Sequence, residues 1–457
     1  MFAGRNIEGK EVKIKKSAYL ITMLMGLGHV RAAFPLRFLS GGEIIEYGSE
    51  LTTFGREKLI WKIIRRIYYL VSKAGDIPSL GKTFLLPILR LEEIESYYPV
   101  KDLSKPSLVV KVLDFLIRNN IFCGALIKKI KDPVLPVINT FYATAIAIDR
   151  LSPEIKNNFL VICDADINRI WVAKSPEKSM IKYLVPCTNV KKRLTSYGVP
   201  EKNIFITGFP LPMENIGSPE RLEILKEDLL RRLIRLDPSG KFLSYHKQSV
   251  QYHLGKEWVP DGKSGYFTVT FAIGGAGAQT HILKKALISL KKNILAGSIK
   301  INISVGIQRK VLEKVLGFIN NADLNSCINK GINIVYDIDV NVYIIKFNKI
   351  LRETDVLWTK PSELSFYCAL GIPILIANPI GAHEDMNRRW LQEIHAGIEP
   401  PGSEKYVNEW LYDLRENGRL AEAAWDGFLK ARKLGTYKIE QLVVNGSFKQ
   451  NQLPLEQ

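Results

Sequence analysis

Phe267-Thr-Val-Thr-Phe-Ala-Ile273 runs without a charge into Gly274-Gly-Ala-Gly-Ala-Gln279, and a helix-spaced stretch, Leu283–Leu295, follows. A short continuous apolar run, as opposed to an alternating one, suits a strand covered on both faces. Glycines turn the chain tightly out of such a strand, and the start of the next helix offers N–H groups to an anion. Strand, glycine turn and helix in this order are the beginning of a βαβ unit.

The same alternation extends in both directions. Downstream lie strand candidates Ile301–Val305, Ile332–Tyr336, Val356–Thr359 and Ile372–Ala377, with a helical pattern at Ser365–Leu370. Upstream lie Ala18–Met25, Phe159–Cys163, Tyr183–Pro186 and Ile204–Thr207. The upstream series ends near Gly208-Phe-Pro-Leu-Pro212, a glycine and two prolines suited to a hinge, and a charged helix over Pro219–Arg235 follows. The expected fold class is therefore α/β, with two doubly wound, Rossmann-like domains of about 200 residues each. We place the first at 1–211 and the second at 212–403. Residues 404–457 form C-terminal helices, expected to pack back on the first domain. In them Trp410, Leu411, Leu414, Leu420, Ala424 and Phe428 are spaced for one buried face, and the last residues read as frayed. Residues 238–265, polar, aromatic and glycine-containing, read as a long loop or extension. Neither an internal repeat nor a low-complexity tract is present.

Composition narrows the class. In 457 residues, 46% are hydrophobic and 24% charged, a globular balance. Lys plus Arg exceeds Asp plus Glu by 64 − 46 = 18, which favours a polyanionic partner: nucleic acid, an anionic membrane or a phosphorylated ligand. Five cysteines, odd in number and never in CxxC spacing, argue against a disulfide framework or a zinc site and fit a reducing compartment. The apolar run Ala18–Met25 follows several lysines as a secretory signal would, but it continues into Gly26-Leu-Gly28-His29 with no small-residue cleavage site, so a buried first strand is the better reading. No apolar stretch reaches the roughly 20 residues of a membrane-spanning helix. The expected location is the cytoplasm or the cytoplasmic face of a membrane.

Ligands of open parallel sheets bind beyond the carboxyl ends of the strands, so motifs that follow strands carry most weight. The first is Gly26-Leu-Gly28-His29-Val-Arg31, where a histidine can take a proton from a hydroxyl at neutral pH or can simply pack at a helix start. The second, Gly274, Gly275 and Gly277, has the glycine content of a diphosphate cradle, or of tight strand–helix packing; no GKS or GKT follows it. The third is Thr359-Lys360-Pro-Ser362-Glu-Leu-Ser365, hydroxyls and a lysine suited to phosphate, with Ser362 or Ser365 as plain helix caps being the alternative. The fourth is Gly381-Ala-His383-Glu384-Asp-Met-Asn387, in which Glu384 and Asn387 share a helix face that could bond a polyol or could stand in solvent.

Other features carry less. Asp164-Ala-Asp166 and Asp337-Ile-Asp339 resemble metal-binding pairs of a kind that arises by chance, and no metal is expected. His246 and His253 have no partner at ligand spacing. Arg56–Lys73 combines Leu59, Ile60, Ile63, Ile64, Ile67, Leu70 and Val71 with six basic residues and Trp61, Tyr68 and Tyr69. It reads either as a helix lying in a membrane interface or as a core-facing helix with a basic outer face. No recognisable nucleic-acid module organises the basic residues, so no nucleic-acid partner is expected.

Together the four motifs resemble the two-domain GT-B glycosyltransferases, in particular the monogalactosyldiacylglycerol synthases and the N-acetylglucosaminyltransferase of peptidoglycan-precursor synthesis. The resemblance spans roughly 18–400. It is carried by Asn203-Ile-Phe-Ile-Thr-Gly-Phe-Pro210, by Gly274-Gly-Ala-Gly277, by Asp355-Val-Leu-Trp-Thr-Lys-Pro361 and by Gly381–Asn387. It implies two domains facing across a cleft, with His29 as the base toward the acceptor hydroxyl and Gly26, Gly28 and Arg31 on the acceptor side. It further implies that Gly274, Gly275, Gly277, Thr359, Lys360, Ser362, Ser365, His383, Glu384 and Asn387 hold the donor. The implied reaction is inverting sugar transfer from a nucleotide diphosphate donor, a UDP-sugar, to a hydroxyl acceptor such as a membrane lipid, without metal or other cofactor. The chain departs from the family where relatives carry a glycine, a ribose-binding glutamate and a glutamine: here stand Ser362, Cys368 and His383. Two rival functions remain compatible with the residues: a nucleotide-sugar epimerase of the same fold, and a catalytically silent sugar-nucleotide or lipid-binding protein.

Overall fold

The computed structural model describes residues 4–5, 11–12, 16–49, 52–53, 55, 57–63, 66, 93–255, 265–273, 277 and 279–448. After a small antiparallel pair, β1 (Gly4–Arg5) and β2 (Glu11–Val12), the strands fall into two six-stranded sheets. The first holds β3 (Tyr19–Met23), β4 (Ile45–Tyr47), β5 (Val137–Asn139), β6 (Asn158–Val161), β7 (Lys182–Val185) and β8 (Ile204–Ile206). Their spatial order is β4-β3-β5-β6-β7-β8 and every pairing is parallel. The second holds β9 (Phe267–Ala272), β10 (Ile299–Gly306), β11 (Ile332–Tyr336), β12 (Val356–Thr359), β13 (Ile374–Ile376) and β14 (Gly397–Ile398), in the order β11-β10-β9-β12-β13-β14, again all parallel.

Counted within its own domain, the second sheet runs 3-2-1-4-5-6, the doubly wound order, and the first runs 2-1-3-4-5-6. Crevices open where the connections leave a first strand in opposite directions: between β9 and β12 in one sheet and between β3 and β5 in the other. The central strands have the burial that their sequence requires. All six residues of β9 and all four of β12 are buried, as both faces are covered by helices. Polar side chains inside this core bond one another: Thr22 with Thr140 at 2.9 Å, Thr270 with Thr354 at 2.6 Å, and Asn139 Nδ2 to Asn158 Oδ1 at 3.0 Å.

Helix Glu223–Leu236 leads from the first sheet to the second and is tied to the second. Its buried Arg232 donates to the carbonyls of Thr354, Leu370 and Gly371. At the C-terminus, Val407–Glu416 and Arg419–Lys430 pack on the second domain; Trp410, Leu411, Leu414, Leu420, Ala424 and Phe428 are all buried, divided between two helices by Asn417-Gly418. Helix Gly435–Asn445 lies against the first domain and the segment leaving it: Thr436 donates to the carbonyl of Leu211 and Tyr437 to that of Gly217.

The structure corrects the sequence reading in several places. Most of the supposed loop over 238–265 is a helix, Lys241–Leu254, whose N-terminal amides at Phe242 and Leu243 bond the Asp237 carboxylate at 2.9 and 3.0 Å; residues 256–264 lie outside the described residues. The sequence reading does not include β4, β5 and β14, strands of two or three residues with no longer apolar run around them. In the Arg56–Lys73 stretch, residues 57–63 are helical. Trp61 is in the core against Phe122 and Tyr47, while Leu59 and Ile63 face outward, so neither of the two readings describes it alone. Residues 64, 65 and 67–73 of that stretch, and the final residues 449–457, lie outside the described residues.

Candidate active site

The two crevices face each other and share one cleft of about 400 Å³. The first domain contributes the Met23–His29 loop after β3, Phe141 and Tyr142 after β5, and Cys163, Asp164 and Trp171 after β6; the second contributes Ala272 and Ile273 after β9, Thr359–Leu364 after β12, and His383 and Glu384. All of these lie beyond carboxyl ends of strands, where the doubly wound arrangement leaves room for a ligand.

His29 is the second residue of the short helix Gly28–Ala33. Its ring packs on Phe141 and Trp171, with centroids 5.6 and 6.2 Å away, and Nδ1 stands 3.8 Å from the Cys163 sulfur. Burial lowers its pKa below the usual histidine value, and His383 adds to that; Asp164, a backbone contact at Thr140, and Glu363 oppose without reversing it. The imidazole is therefore neutral at pH 7 and able to accept a proton.

Arg31, two residues further along that helix, crosses to the second domain. Its Nη1 donates to Glu363 Oε1 at 2.5 Å and Nη2 to the Tyr343 hydroxyl at 2.8 Å, and that hydroxyl bonds Ser304 at 2.7 Å. Both ion-pair partners are buried, with 5% and 9% of the side chains exposed. Burial opposes the Arg31 charge, but Tyr343 and Glu363 outweigh it and hold the guanidinium above its usual pKa. The approach is close enough that a Cβ on Gly28 would come within 3.0 Å of Glu363 Oε2. A side chain at position 28 would therefore press on the Glu363 carboxylate and make it shift.

On the opposite wall Lys360 bonds Glu384, whose other oxygen accepts the Ile380 amide at 2.9 Å. Burial pushes the Glu384 carboxyl up, yet Lys360 and His383 pull it below the usual carboxylate value, so it is ionised. His383, nearly half exposed, lies 4.0 Å from the same carboxylate. Thr359 donates to the carbonyl of Ala272 at 3.5 Å, and Ser362 lines the cleft at the start of the 3-10 helix Glu363–Leu370 without a side-chain capping bond.

Thus Gly26, Gly28, His29, Arg31, Thr359, Lys360, Ser362, His383 and Glu384 converge on one cleft from three segments, those after β3, β12 and β13. Three expected donor contacts do not line it. Asn387 is fully buried and spent between domains: its Oδ1 accepts the Ala165 amide at 2.7 Å and its Nδ2 donates to Asp164 at 2.9 Å and to the carbonyl of Pro361 at 3.3 Å. Ser365 is enclosed within its 3-10 helix. Gly277 turns with φ of 74° beside Val311, which a Cβ would meet at 3.0 Å. Gly274 and Gly275 lie outside the described residues. Cys368 is fully buried beneath helix Arg419–Lys430, away from the cleft, and burial raises its thiol pKa.

Glu363 and Tyr343 went unrecognised because their partner Arg31 is more than 300 positions away, and Ser304 because it joins the set only through Tyr343. Asp164 drew attention only as half of a metal pair. It faces His29 in the cleft, whereas Asp166 is held by Arg193 through two bonds of 2.9 and 2.8 Å. Among the described residues no group of three His, Cys, Asp or Glu side chains could hold a metal ion.

Two parallel-sheet domains with facing crevices, and a chain that returns at its end to the first domain, define the GT-B architecture. The profile of a domain family described as a domain of unknown function (DUF6938) matches residues 311–446, which cover the later part of the second domain and the C-terminal helices. No curated protein matches the chain. Among solved structures it is similar to a UDP-glucosyltransferase from Polygonum tinctorium, with TM-score 0.46 and 13% identity over 95% of this chain and 100% of that one. It is similar also to MurG from Acinetobacter baumannii (0.42, 13%, over 83% and 95%) and to a UDP-GlcNAc 2-epimerase from Neisseria meningitidis (0.40, 13%, over 82% and 94%).

Proposed function

We propose that the protein is a glycosyltransferase that moves a sugar from a nucleotide diphosphate donor, a UDP-sugar, to a hydroxyl acceptor, with a membrane lipid as the favoured acceptor class. The observation that carries this reading is the convergence in one cleft of a neutral histidine from the first domain and a lysine–carboxylate wall from the second.

The chemistry follows from those positions. The acceptor oxygen attacks the anomeric carbon from the side of the first domain while its proton passes to His29. The bond from that carbon to the diphosphate oxygen breaks, and the nucleoside diphosphate leaves on the side of Thr359, Lys360 and Ser362. Attack opposite to departure inverts the anomeric centre. Asp164, facing His29, favours the imidazolium that forms. Glu384 pairs with Lys360 at the wall of the cleft. His383, half exposed at the mouth, is in position to meet the sugar. The reaction so written balances without a metal.

A donor screen by mass spectrometry with the purified protein tests this reading. A glycosylated acceptor together with free nucleoside diphosphate is expected, and His29→Ala abolishes it. Interconversion of the donor sugar with no acceptor present would reassign the cleft to epimerisation. Binding of nucleotide diphosphates with no turnover in either assay would make the protein a binding protein.

A further inference from the structure

Four carboxylates line the cleft, those of Asp164, Asp166, Glu363 and Glu384. Three of them already have a cation. Arg31 holds Glu363 at 2.5 Å, Arg193 holds Asp166 at 2.9 and 2.8 Å, and Lys360 pairs with Glu384. Asp164 has none among the described residues: the one hydrogen bond to its side chain comes from the neutral amide of Asn387, at 2.9 Å. On the first-domain side, beside His29, the cleft thus presents a half-buried carboxylate whose counter-charge the protein does not supply.

What surrounds this carboxylate is aromatic. Phe141 and Tyr142 stand with ring centroids 4.4 Å apart, Tyr142 and Trp171 5.3 Å, and His29 completes the set at 5.6 Å from Phe141 and 6.2 Å from Trp171. All four rings line the cleft, and Cys163, next to Asp164 in the chain, puts its sulfur 3.8 Å from His29 Nδ1. Two kinds of cation could answer Asp164. A hard metal ion takes several oxygen ligands, whereas the neighbours here are rings, a thiol and an amide N–H; among the described residues no group of three His, Cys, Asp or Glu side chains could hold one. An organic ammonium asks for the opposite, one carboxylate for its charge and π systems for the polarised C–H or N–H groups around it. Phenylalanine, tyrosine and tryptophan beside a single carboxylate are that set. In the sequence its members are dispersed: Phe141-Tyr142 follow β5, while Asp164 and Trp171 follow β6, and the parallel pairing of β5 with β6 brings the two ends together.

We propose that the acceptor is an amino alcohol, whose ammonium group sits between Asp164 and the rings of Phe141, Tyr142 and Trp171 while a hydroxyl reaches His29. This deepens the proposed reaction and rests on it for the hydroxyl; the cation site is tested by binding alone. N-acetylation removes the charge of an amine and keeps the hydroxyls, so two pairs of probes serve: glucosamine against N-acetylglucosamine in solution, and sphinganine against N-acetylsphinganine in detergent micelles. In tryptophan-fluorescence titrations of the full chain at pH 7, the amine of at least one pair should bind at least about tenfold more tightly than its acetylated partner, and Asp164→Asn should abolish the preference. The pair that shows it distinguishes a soluble acceptor from a lipid. With a UDP-sugar present, the same preference should appear in kcat/KM. Preferential binding of the amine with no transfer to any acceptor supports the cation site and removes the transferase reading. Equal binding within both pairs, no binding of either amine, or a preference that survives in Asp164→Asn overturns the inference. The comparison within each pair uses the parent chain, so it does not depend on how the variant folds.

Discussion

The ion pair between Arg31 and Glu363 lends itself to a double-mutant cycle. The partners sit on different domains, 2.5 Å apart, and are almost entirely removed from solvent, so the discount applied to surface pairs does not hold. Glu363→Leu leaves a buried guanidinium with the Tyr343 hydroxyl, while its Nε already lacks a partner. Arg31→Met leaves a buried carboxylate. One-sided loss of a buried pair costs about 3–5 kcal/mol, whereas replacing both partners by apolar groups is close to neutral. Because the pair bridges two domains, the molecule has an escape: opening the cleft hydrates the orphaned charge and caps the cost at the free energy of closure. The urea midpoint should therefore fall in each single variant and recover in R31M/E363L, with a coupling of at least about 1.5 kcal/mol. Small-angle scattering should show a larger radius of gyration for E363L than for the parent or the double variant. Single effects that add to within about 0.5 kcal/mol, with unchanged radii, would refute the view that this pair holds the domains together.

Three further outcomes follow from the structure. Since burial lowers the His29 pKa below its usual 6.5, activity should be level from pH 7 upward and decline only as the pH falls below 6.5; a decline centred above 7 in the pH profile of kcat/KM would remove His29 as the base. Burial depresses Lys433 to about 7, so the folded state binds fewer protons than the unfolded state between pH 7 and the ordinary lysine value of 10.5. Measured against Lys433→Met by urea unfolding, the parent should gain on the order of a few kcal/mol across that window, and a flat difference would contradict the burial. Gly427→Ala, a substitution that ordinarily stabilises a helix, should here cost about 1–3 kcal/mol in thermal or urea unfolding, because the new Cβ would stand 2.6 Å from the carbonyl of Cys368.

The alternation of apolar runs and helical spacing made the two parallel sheets legible, because strands buried on both faces leave a strong local signal. Phe267–Ile273 and Val356–Thr359 were found nearly to the residue. Short strands were legible where an apolar run extends past them, as around Ile204–Ile206 and Ile374–Ile376, and not where polar residues or prolines flank them, as around Val137–Asn139. Two histidines, two tyrosines and a glycine beyond its end make the helix Lys241–Leu254 imitate a loop, and its capping carboxylate, Asp237, lies just before that polar stretch. In the cleft, residues directly following strands were legible, since the fold dictates where those ends go. What the sequence could not reveal is which polar groups are spent on one another. Asn387 and Glu384 look alike as polar residues one helical turn apart. Asn387 clasps the loop at Asp164-Ala165 on the other domain, and Glu384 faces the cavity. Pairings across hundreds of residues leave no local trace, and the Arg31–Glu363 bridge is of that kind.

The chain passes between the domains twice, and the two passages touch. The outward one is Gly208–Pro212 and the returning one is Ala431–Gly435: an ideal Cβ on Gly208 would strike Arg432 at 2.9 Å, and one on Gly435 would strike the Phe209 carbonyl at 2.1 Å. Two bodies joined by a single tether can swing, twist and separate freely. Joined by two tethers packed side by side, they retain one easy motion, a rotation about the line running through both. The Arg31–Glu363 contact joins the two domains across the cleft and so bears on that rotation. One coordinate then governs cleft width, and resistance to opening is shared by the contacts that cross the cleft, Arg31–Glu363 and Asn387–Asp164 among them.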